Sequence, residues 1–276
     1  MKQKIIWILW LQGEKNMPHV VKLCYNSWLE KNPDYNIILL DNISVHDYIT
    51  LDKKIIENNN ITIQKLSNII RLNLLETHGG VWIDATCYCN TPLSSWLENN
   101  MRTGFFAFSK PGPDRMISNW FIAANKGNSL LKKLNTSHNN FWINNPQIKI
   151  YDPSKRNIIL KSTFIHKILK KKPTLWLSLF MVKILKVYPY YCFHYLFQKI
   201  YNNDPAFKVL WDSTNKISAI PPHNLQTYGL NNQITNEIIL ELKNKSVPLY
   251  KLTHKLNYNK DEKSIFNYLN VNQYHL

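Results

Sequence analysis

A chain of 276 residues with 45% hydrophobic content can bury the core of one large α/β domain, or of a domain with a smaller lobe, and this excludes a disordered or low-complexity protein. The formal net charge of +16 comes from 34 basic against 18 acidic residues, and only four of the basic residues are Arg. The excess is Lys without an Arg-and-aromatic motif, so no nucleic-acid partner is expected; such a surface attracts a diphosphate or an acidic bilayer face.

The opening MKQKIIWILWLQG carries an apolar run of only seven residues with no small-residue cleavage site after it, so it reads as a first buried strand and not as a signal peptide. A helix follows in NMPHVVKLCYNSWLEKNP. Asn16 is its expected cap, Pro18 its first turn, Val20, Val21, Cys24 and Trp28 its apolar stripe, and Pro33 its stop. NIILLD is a second buried strand ending on Asp41. Residues 44–60 read as helix and then polar loop. From Ile63 to His78 a second strong helix faces inward through Leu66, Ile69, Ile70 and Leu74, while Asn68 and Arg71, three apart, share another face. Gly79 supplies the left-handed cap, and VWID is a third strand ending on Asp84. GFFAF and WFIAA read as further strands, SLLKKLNTSHNNFW as a helix from Ser129, and 234–244 as another helix. Alternating strands and helices predict an α/β fold with a mainly parallel sheet. The four Cys, at 24, 87, 89 and 192, lack a paired metal spacing and read as reduced, mostly buried thiols of a cytoplasmic protein.

In such sheets ligands bind beyond the carboxyl ends of the strands. Asp41 and Asp84 both close predicted strands, and a carboxylate there can hold a divalent metal or a ribose hydroxyl. The competing reading of each is a structural ion pair or a helix N-cap, because a charge beside an apolar strand needs a partner.

The segment SNIIRLNLLETHGGVWIDAT, residues 67–86, resembles the S-D-x-x-R…G-G-x-W-x-D-A-T stretch of bacterial capsular polysaccharide synthesis proteins, which are similar to a glycosyltransferase group containing yeast mannosyltransferases and the sugar-transferring clostridial toxins. IIWILWLQG, NDPAFKVLWD and PLYKLTHKL add to the resemblance. It implies a GT-A fold: a Rossmann-like nucleotide-sugar half over 1–150, and an acceptor-side helical region with a closing C-terminal tail over 151–276. It implies transfer of a hexose, with retention, from a nucleoside-diphosphate sugar (UDP by default) to a capsular or lipopolysaccharide-type glycan or a lipid-linked oligosaccharide, with Mn²⁺ or Mg²⁺.

Residue by residue, Trp10 matches the aromatic that stacks on the base, and Gln12 of the same segment is assigned with it to donor binding. Arg71 matches the arginine that contacts donor sugar or phosphate, and its fork suits both. Asn68 stands where the family has Asp. Asp84 matches the first Asp of an Asp-x-Asp motif, and Thr86 stands where the second would be, a weak ligand for a hard cation. Asp84, Thr86 and His254 are the candidate metal ligands. Lys251 and Lys255 belong to the tail that closes over the diphosphate, and Asn119 to the donor-pocket wall. No residue stands out as a nucleophile.

Residues 155–203 carry ten Lys or Arg and no acid, interleaved with LWLSLFMVKILKVYPYYCFHYLF. This composition suits a segment lying on anionic inner-membrane lipid, and equally a helical subdomain with solvated lysines; Lys183, Lys186 and Pro189 break it as a membrane span. Localisation is expected to be cytoplasmic, with peripheral contact at the inner membrane face. Two other readings fit the residues: a degenerate sugar-nucleotide binder without turnover, motivated by Asn68 and Thr86, and a basic binder of nucleic acid or anionic membrane.

Overall fold

The computed structural model describes residues 3–152, 163–258 and 261–272. The chain opens with β1 (Ile5–Leu9), α1 (His19–Lys31) and β2 (Asn36–Leu40), makes the single turn α2 (Lys53–Ile56), and continues through α3 (Ile63–His78) into β3 (Gly80–Asp84). Next come β4 (Cys87–Cys89), α4 (Leu97–Asn100), the hairpin β5 (Phe105–Gly112) and β6 (Arg115–Ala124), and α5 (Ser129–Ile143). The remainder holds β7 (Lys149–Ile150), α6 (Thr163–Lys171), β8 (Val187–Tyr188), α7 (Cys192–Asn203), α8 (Pro205–Asp212), α9 (Asn224–Tyr228), α10 (Asn236–Lys243), β9 (Leu249–Lys251) and α11 (Ile265–Val271).

Five strands form the central sheet in the order β2-β1-β3-β6-β5. β2, β1 and β3 are mutually parallel, β6 runs against β3, and β5 runs against β6, so every strand but β6 points the same way. The expected α/β class with a mainly parallel sheet is therefore observed. The period-2 alternation of strand side chains splits the core into two layers. Ile6, Ile8, Val81, Ile83, Phe121 and Ala123 face one side, against α1 and the C-terminal elements. Trp7, Leu9, Trp82, Ile122 and Ala124 face the other, against α3, α5, α7 and α8.

The chain's two expected stretches interlock. β9 pairs with β4, and α7 lies on β6 and α5, so residues beyond 151 complete both cores. Of the basic stretch, 155–162 lie outside the described residues. The rest divides into a buried helix, α7, and a surface run from α6 to Ile184. All four Cys are free and buried, as expected.

Several local expectations need correction. β2 is not buried on both faces: it is an edge strand, and only Leu40 in it is fully buried. Asn16 does not cap α1, whose cap position is Pro18; the Asn16 amide instead donates to the Gln12 carbonyl at 2.7 Å. GFFAF and WFIAA lie in one antiparallel hairpin that extends toward its tip beyond the apolar letters, and residues 44–60 fold into short turns and not a sustained helix. Gly79 is the C-cap of α3 as expected, its amide donating to the Leu75 carbonyl at 2.9 Å, but with φ 72° and ψ −164° it leaves the helix extended and not in the left-handed helical well. A Cβ there would lie 2.6 Å from the Lys126 amide, and one on Gly80, at φ 100°, would lie 2.7 Å from the Ile5 carbonyl. The Gly-Gly pair thus lets helix turn into strand against β1 without a side chain in the way.

His138, in α5, is fully buried beside Trp142 and Phe193, and neither ring nitrogen has a partner among the described residues. Burial, then the charges of Lys65 and Arg71, push its pKa down to about 3 from 6.5. The unfolded chain binds the proton first, so stability present above pH 6.5 is lost as pH falls toward 3. Melting temperature should therefore decline across that range, and thermal scans of His138→Phe should show a shallower decline; an unchanged slope would contradict the assignment.

Candidate active site at the rim of β3

Asp84 is the last residue of β3, at the carboxyl edge of the sheet. Trp82, two residues back on the same face, donates its indole N–H to Asp84 Oδ1 at 3.1 Å. α3 packs over this face and delivers Arg71, whose Nη2 lies 3.1 Å from Oδ1 and whose guanidinium sits 4.8 Å over the Trp82 ring. From the opposite side of the chain β9 delivers Lys251, with Nζ 3.3 Å from Oδ2. Lys251 also donates to the Thr86 hydroxyl. One carboxylate thus holds two cations, one on each oxygen.

The Asp84 side chain is 27% exposed, against 4% for Arg71 and 16% for Lys251. Burial would raise the Asp84 carboxyl, but the Arg71 and Lys251 charges overcome it and hold the group below the usual carboxylate range. Burial acts on Lys251 in the opposite sense and is likewise overcome, chiefly by Asp84, leaving the ammonium more basic than usual. For Arg71 burial prevails over Asp84 and lowers the guanidinium from its very high ordinary value. All three remain charged at neutral pH, and together they carry a net single positive charge.

Arg71 is fixed on its far side too. It donates to the Asn119 carbonyl, to the Ser67 carbonyl at 3.2 Å and to the Ser67 hydroxyl at 3.0 Å. Asn119, inside β6, donates its amide to Asn68 Oδ1 at 2.9 Å. The run Asn68–Asn119–Arg71–Asp84–Lys251–Thr86 is therefore one connected polar network, assembled from α3, β6, β3, the turn after β3, and β9.

Trp10 and His254 form a second group. Trp10 follows β1 at the same sheet edge, is half-buried, and meets the His254 ring edge-on at 5.4 Å. Burial, then Lys251 and Lys255, lower the His254 pKa and favour the neutral ring. His254 also lines one end of a cleft of about 920 Å³ between the start of α1 and α11. The Gln12 and Lys255 side chains are exposed; the Gln12 carbonyl meets this second group through Asn16, whose own carbonyl accepts from the Trp10 indole at 3.3 Å. Asp41 Oδ1 accepts from the Ile43 and Ser44 amides at 2.9 and 2.8 Å, so it organises its own turn.

Asp84, Thr86 and His254, as they stand, do not fit a divalent ion. Both Asp84 oxygens and the Thr86 hydroxyl are engaged by cationic side chains, and the described residues contain no cluster of three His, Cys, Asp or Glu suited to a metal.

Sequence reasoning missed Ser67, Trp82 and Gln226, the last of which donates to the Lys251 carbonyl at 2.5 Å. Trp82 was legible in principle, being two residues before Asp84 and hence on its face. It also missed the hairpin tip, where Arg115 stacks on Tyr191 at 4.0 Å, pairs with Asp114 at 3.1 Å, and lies so close over Gly112 that a Cβ there would sit 2.0 Å from its Nη2. No sequence signal marks that cradle.

If Arg71 depends on Asp84, Asp84→Asn should cost about 3 kcal/mol in a urea titration, because a buried guanidinium loses its counter-charge. Arg71→Met with Asp84→Asn should then cost less than the sum of the single changes, by about 1–3 kcal/mol; additive costs would refute the coupling.

The comparisons with known proteins can be set against this geometry. Residues 1–152 and 157–269 match the model of a family described as capsular polysaccharide synthesis protein. A protein of Annulohypoxylon truncatum named O-glycosyltransferase braB is 29% identical over 150 residues, covering 47% of this chain and 35% of its own length, so this chain spans about a third of that relative. A solved structure, PaToxG glycosyltransferase, aligns over 90% of this chain and 88% of its own, with 15% identity and a TM-score of 0.44. With nearly its whole length matched to the family model and the motif of 67–86 assembled into one network, the chain belongs to the capsular polysaccharide synthesis protein family.

Proposed function

We propose that this protein is a glycosyltransferase that moves a hexose from a nucleoside-diphosphate sugar, with UDP as the default nucleotide, to a hydroxyl of a capsular or lipopolysaccharide-type glycan. The observation that carries this reading is the convergence of Arg71 and Lys251 on Asp84 at the carboxyl rim of the sheet. Family membership and the relative named as an O-glycosyltransferase support it.

The bond between the anomeric carbon and the β-phosphate oxygen breaks, a bond from that carbon to the acceptor oxygen forms, and the acceptor proton leaves with the nucleoside diphosphate or to solvent. The charge that develops sits on the departing diphosphate. Preorganised cations in a partly water-excluded site stabilise that charge more than they stabilise the bound donor. Asp84 holds the two cations apart and in place, and the Asn119 carbonyl does the same for the far amine of Arg71. Asn68, buried and tied to Asn119 through its Oδ1, holds the Asn119 side chain in place. Trp10 offers a half-buried ring to the base. Asp84 is ion-paired on both oxygens and so is a poor nucleophile. Retention then requires the acceptor to approach from the leaving-group face, where the departing phosphate oxygen is the nearest base.

The acceptor reading extends to the membrane. Among the described residues no helix is long and apolar enough to cross a bilayer. Ile168, Leu175, Leu179, Phe180 and Ile184 are nevertheless exposed on one stretch, among the exposed lysines 167, 170, 171, 172, 183 and 186. Apolar side chains flanked by cations fit an anionic lipid surface, where a lipid-linked acceptor would be presented.

Incubation with UDP-sugars should release UDP, and Asp84→Asn should reduce release by about 10² or more while near-UV dichroism is retained. Full activity in that variant would remove the site assignment. In vesicle sedimentation the protein should pellet with phosphatidylglycerol-containing vesicles and not with pure phosphatidylcholine, and Leu179→Glu with Phe180→Glu should abolish pelleting. Equal binding to both vesicle types would contradict the membrane reading.

A further inference from the structure

We propose that this protein binds its nucleoside diphosphate without a divalent metal, the Lys251 ammonium, together with the Arg71 guanidinium, serving as its built-in cation. The proposal rests on the glycosyltransferase reading and sharpens it.

The argument starts from charge. An Asp-x-Asp metal site sets two carboxylates against one divalent ion, which leaves the centre neutral before the diphosphate arrives. Here the second carboxylate is replaced by the neutral Thr86, and two monovalent cations face the single carboxylate of Asp84. The centre is thus positive by one charge, made wholly of protein groups. A divalent ion entering beside them would meet two cations at close range. Against those two cations it would find one carboxylate, both of whose oxygens are already ion-paired, so repulsion outweighs attraction.

Lys251 is also not a loose side chain that a metal displaces at little cost. Its backbone is pinned by the β4–β9 pairing, in which Cys87 is its partner. Its carbonyl accepts from Gln226 at 2.5 Å, and the next amide, Leu252, donates to the Thr86 carbonyl at 2.7 Å. The ammonium is held at two points, Asp84 Oδ2 and the Thr86 hydroxyl, in a side chain only 16% exposed. Thr86 therefore has a specific role in this arrangement. Its hydroxyl accepts a hydrogen bond from an ammonium without adding negative charge, whereas an Asp at 86 would cancel the surplus positive charge. The ammonium has three donors, and two of them are engaged, which leaves one for a phosphate oxygen.

The test is titration calorimetry of UDP and GDP into the protein, in EDTA and in excess Mn²⁺, with Mn²⁺ alone titrated as a third arm. The proposal expects a nucleoside diphosphate to bind in EDTA with an affinity within about threefold of that in Mn²⁺, and Mn²⁺ alone to give no heat of binding. Lys251→Met should weaken the nucleotide at least about tenfold in EDTA, the scale of one charge-assisted contact, and Lys251→Arg should recover part of it. Thr86→Asp combined with Lys251→Ala should make binding respond to Mn²⁺, because it restores two carboxylates and removes the competing cation. Binding seen in Mn²⁺ but not in EDTA overturns this proposal and leaves the glycosyltransferase reading intact. Binding of neither nucleotide under any condition overturns both. Binding in EDTA that Lys251→Met does not weaken overturns the role of Lys251.

Discussion

The structure depends on how a carboxylate at the end of an apolar strand stays ionised. Ile83 and Trp82 are buried, and the next residue is an Asp whose pKa burial alone would raise. Two cations from remote parts of the chain prevent that, and in doing so they tie α3 and β9 to the same strand end. The ion pairs are therefore constraints on assembly as much as chemistry. Arg71 reaches the carboxylate because α3 ends on the Gly79–Gly80 pair, which allows the chain to reverse directly into β3. Lys251 reaches it because β9 closes onto β4 immediately after the motif. Removing the carboxylate leaves like charges facing each other in a poorly hydrated place, which loosens the hold of both α3 and β9 on the strand end.

Most of the sheet was legible because it rests on local patterns. IIWIL and VWID are short apolar runs bounded by turn residues, and the stripe of 63–78 announces a helical period. What failed had non-local causes. NIILLD reads as equally buried, yet whether a strand lies at an edge is decided by the order of strands and not by its letters. Asn16 is a good cap by type, but its amide donates to the carbonyl of Gln12, and the helix begins at Pro18, which has no N–H to satisfy.

The site was legible in part for the same reason. Asp84, Arg71 and Asn68 sit within one motif, and strand–helix geometry brings them together. Asn119 and Lys251 came only with the family resemblance, and their places in the network follow from β6 running against β3 and β9 against β4, facts of topology. That Lys251 would occupy the ground expected of a metal was invisible, because the motif letter at 86 shows a missing carboxylate and not what replaces it. Trp10 and His254 meet each other as a ring pair beside this centre, while Gln12 reaches Trp10 only through Asn16 and Lys255 acts on His254 through its charge. The cradle of Gly112, Arg115 and Tyr191 illustrates the limit of sequence reading, since its parts are brought together by a hairpin tip and a distant helix.

The central claim is that the Asp84–Arg71–Lys251 centre receives the diphosphate of the donor. A crystal structure of the protein soaked with UDP tests it most directly. The account predicts phosphate oxygens within hydrogen-bonding distance of the Arg71 guanidinium and the Lys251 ammonium, with the uracil on the Trp10 ring. Nucleotide density elsewhere, such as in the cleft between the start of α1 and α11, with the three charged groups untouched, would contradict it.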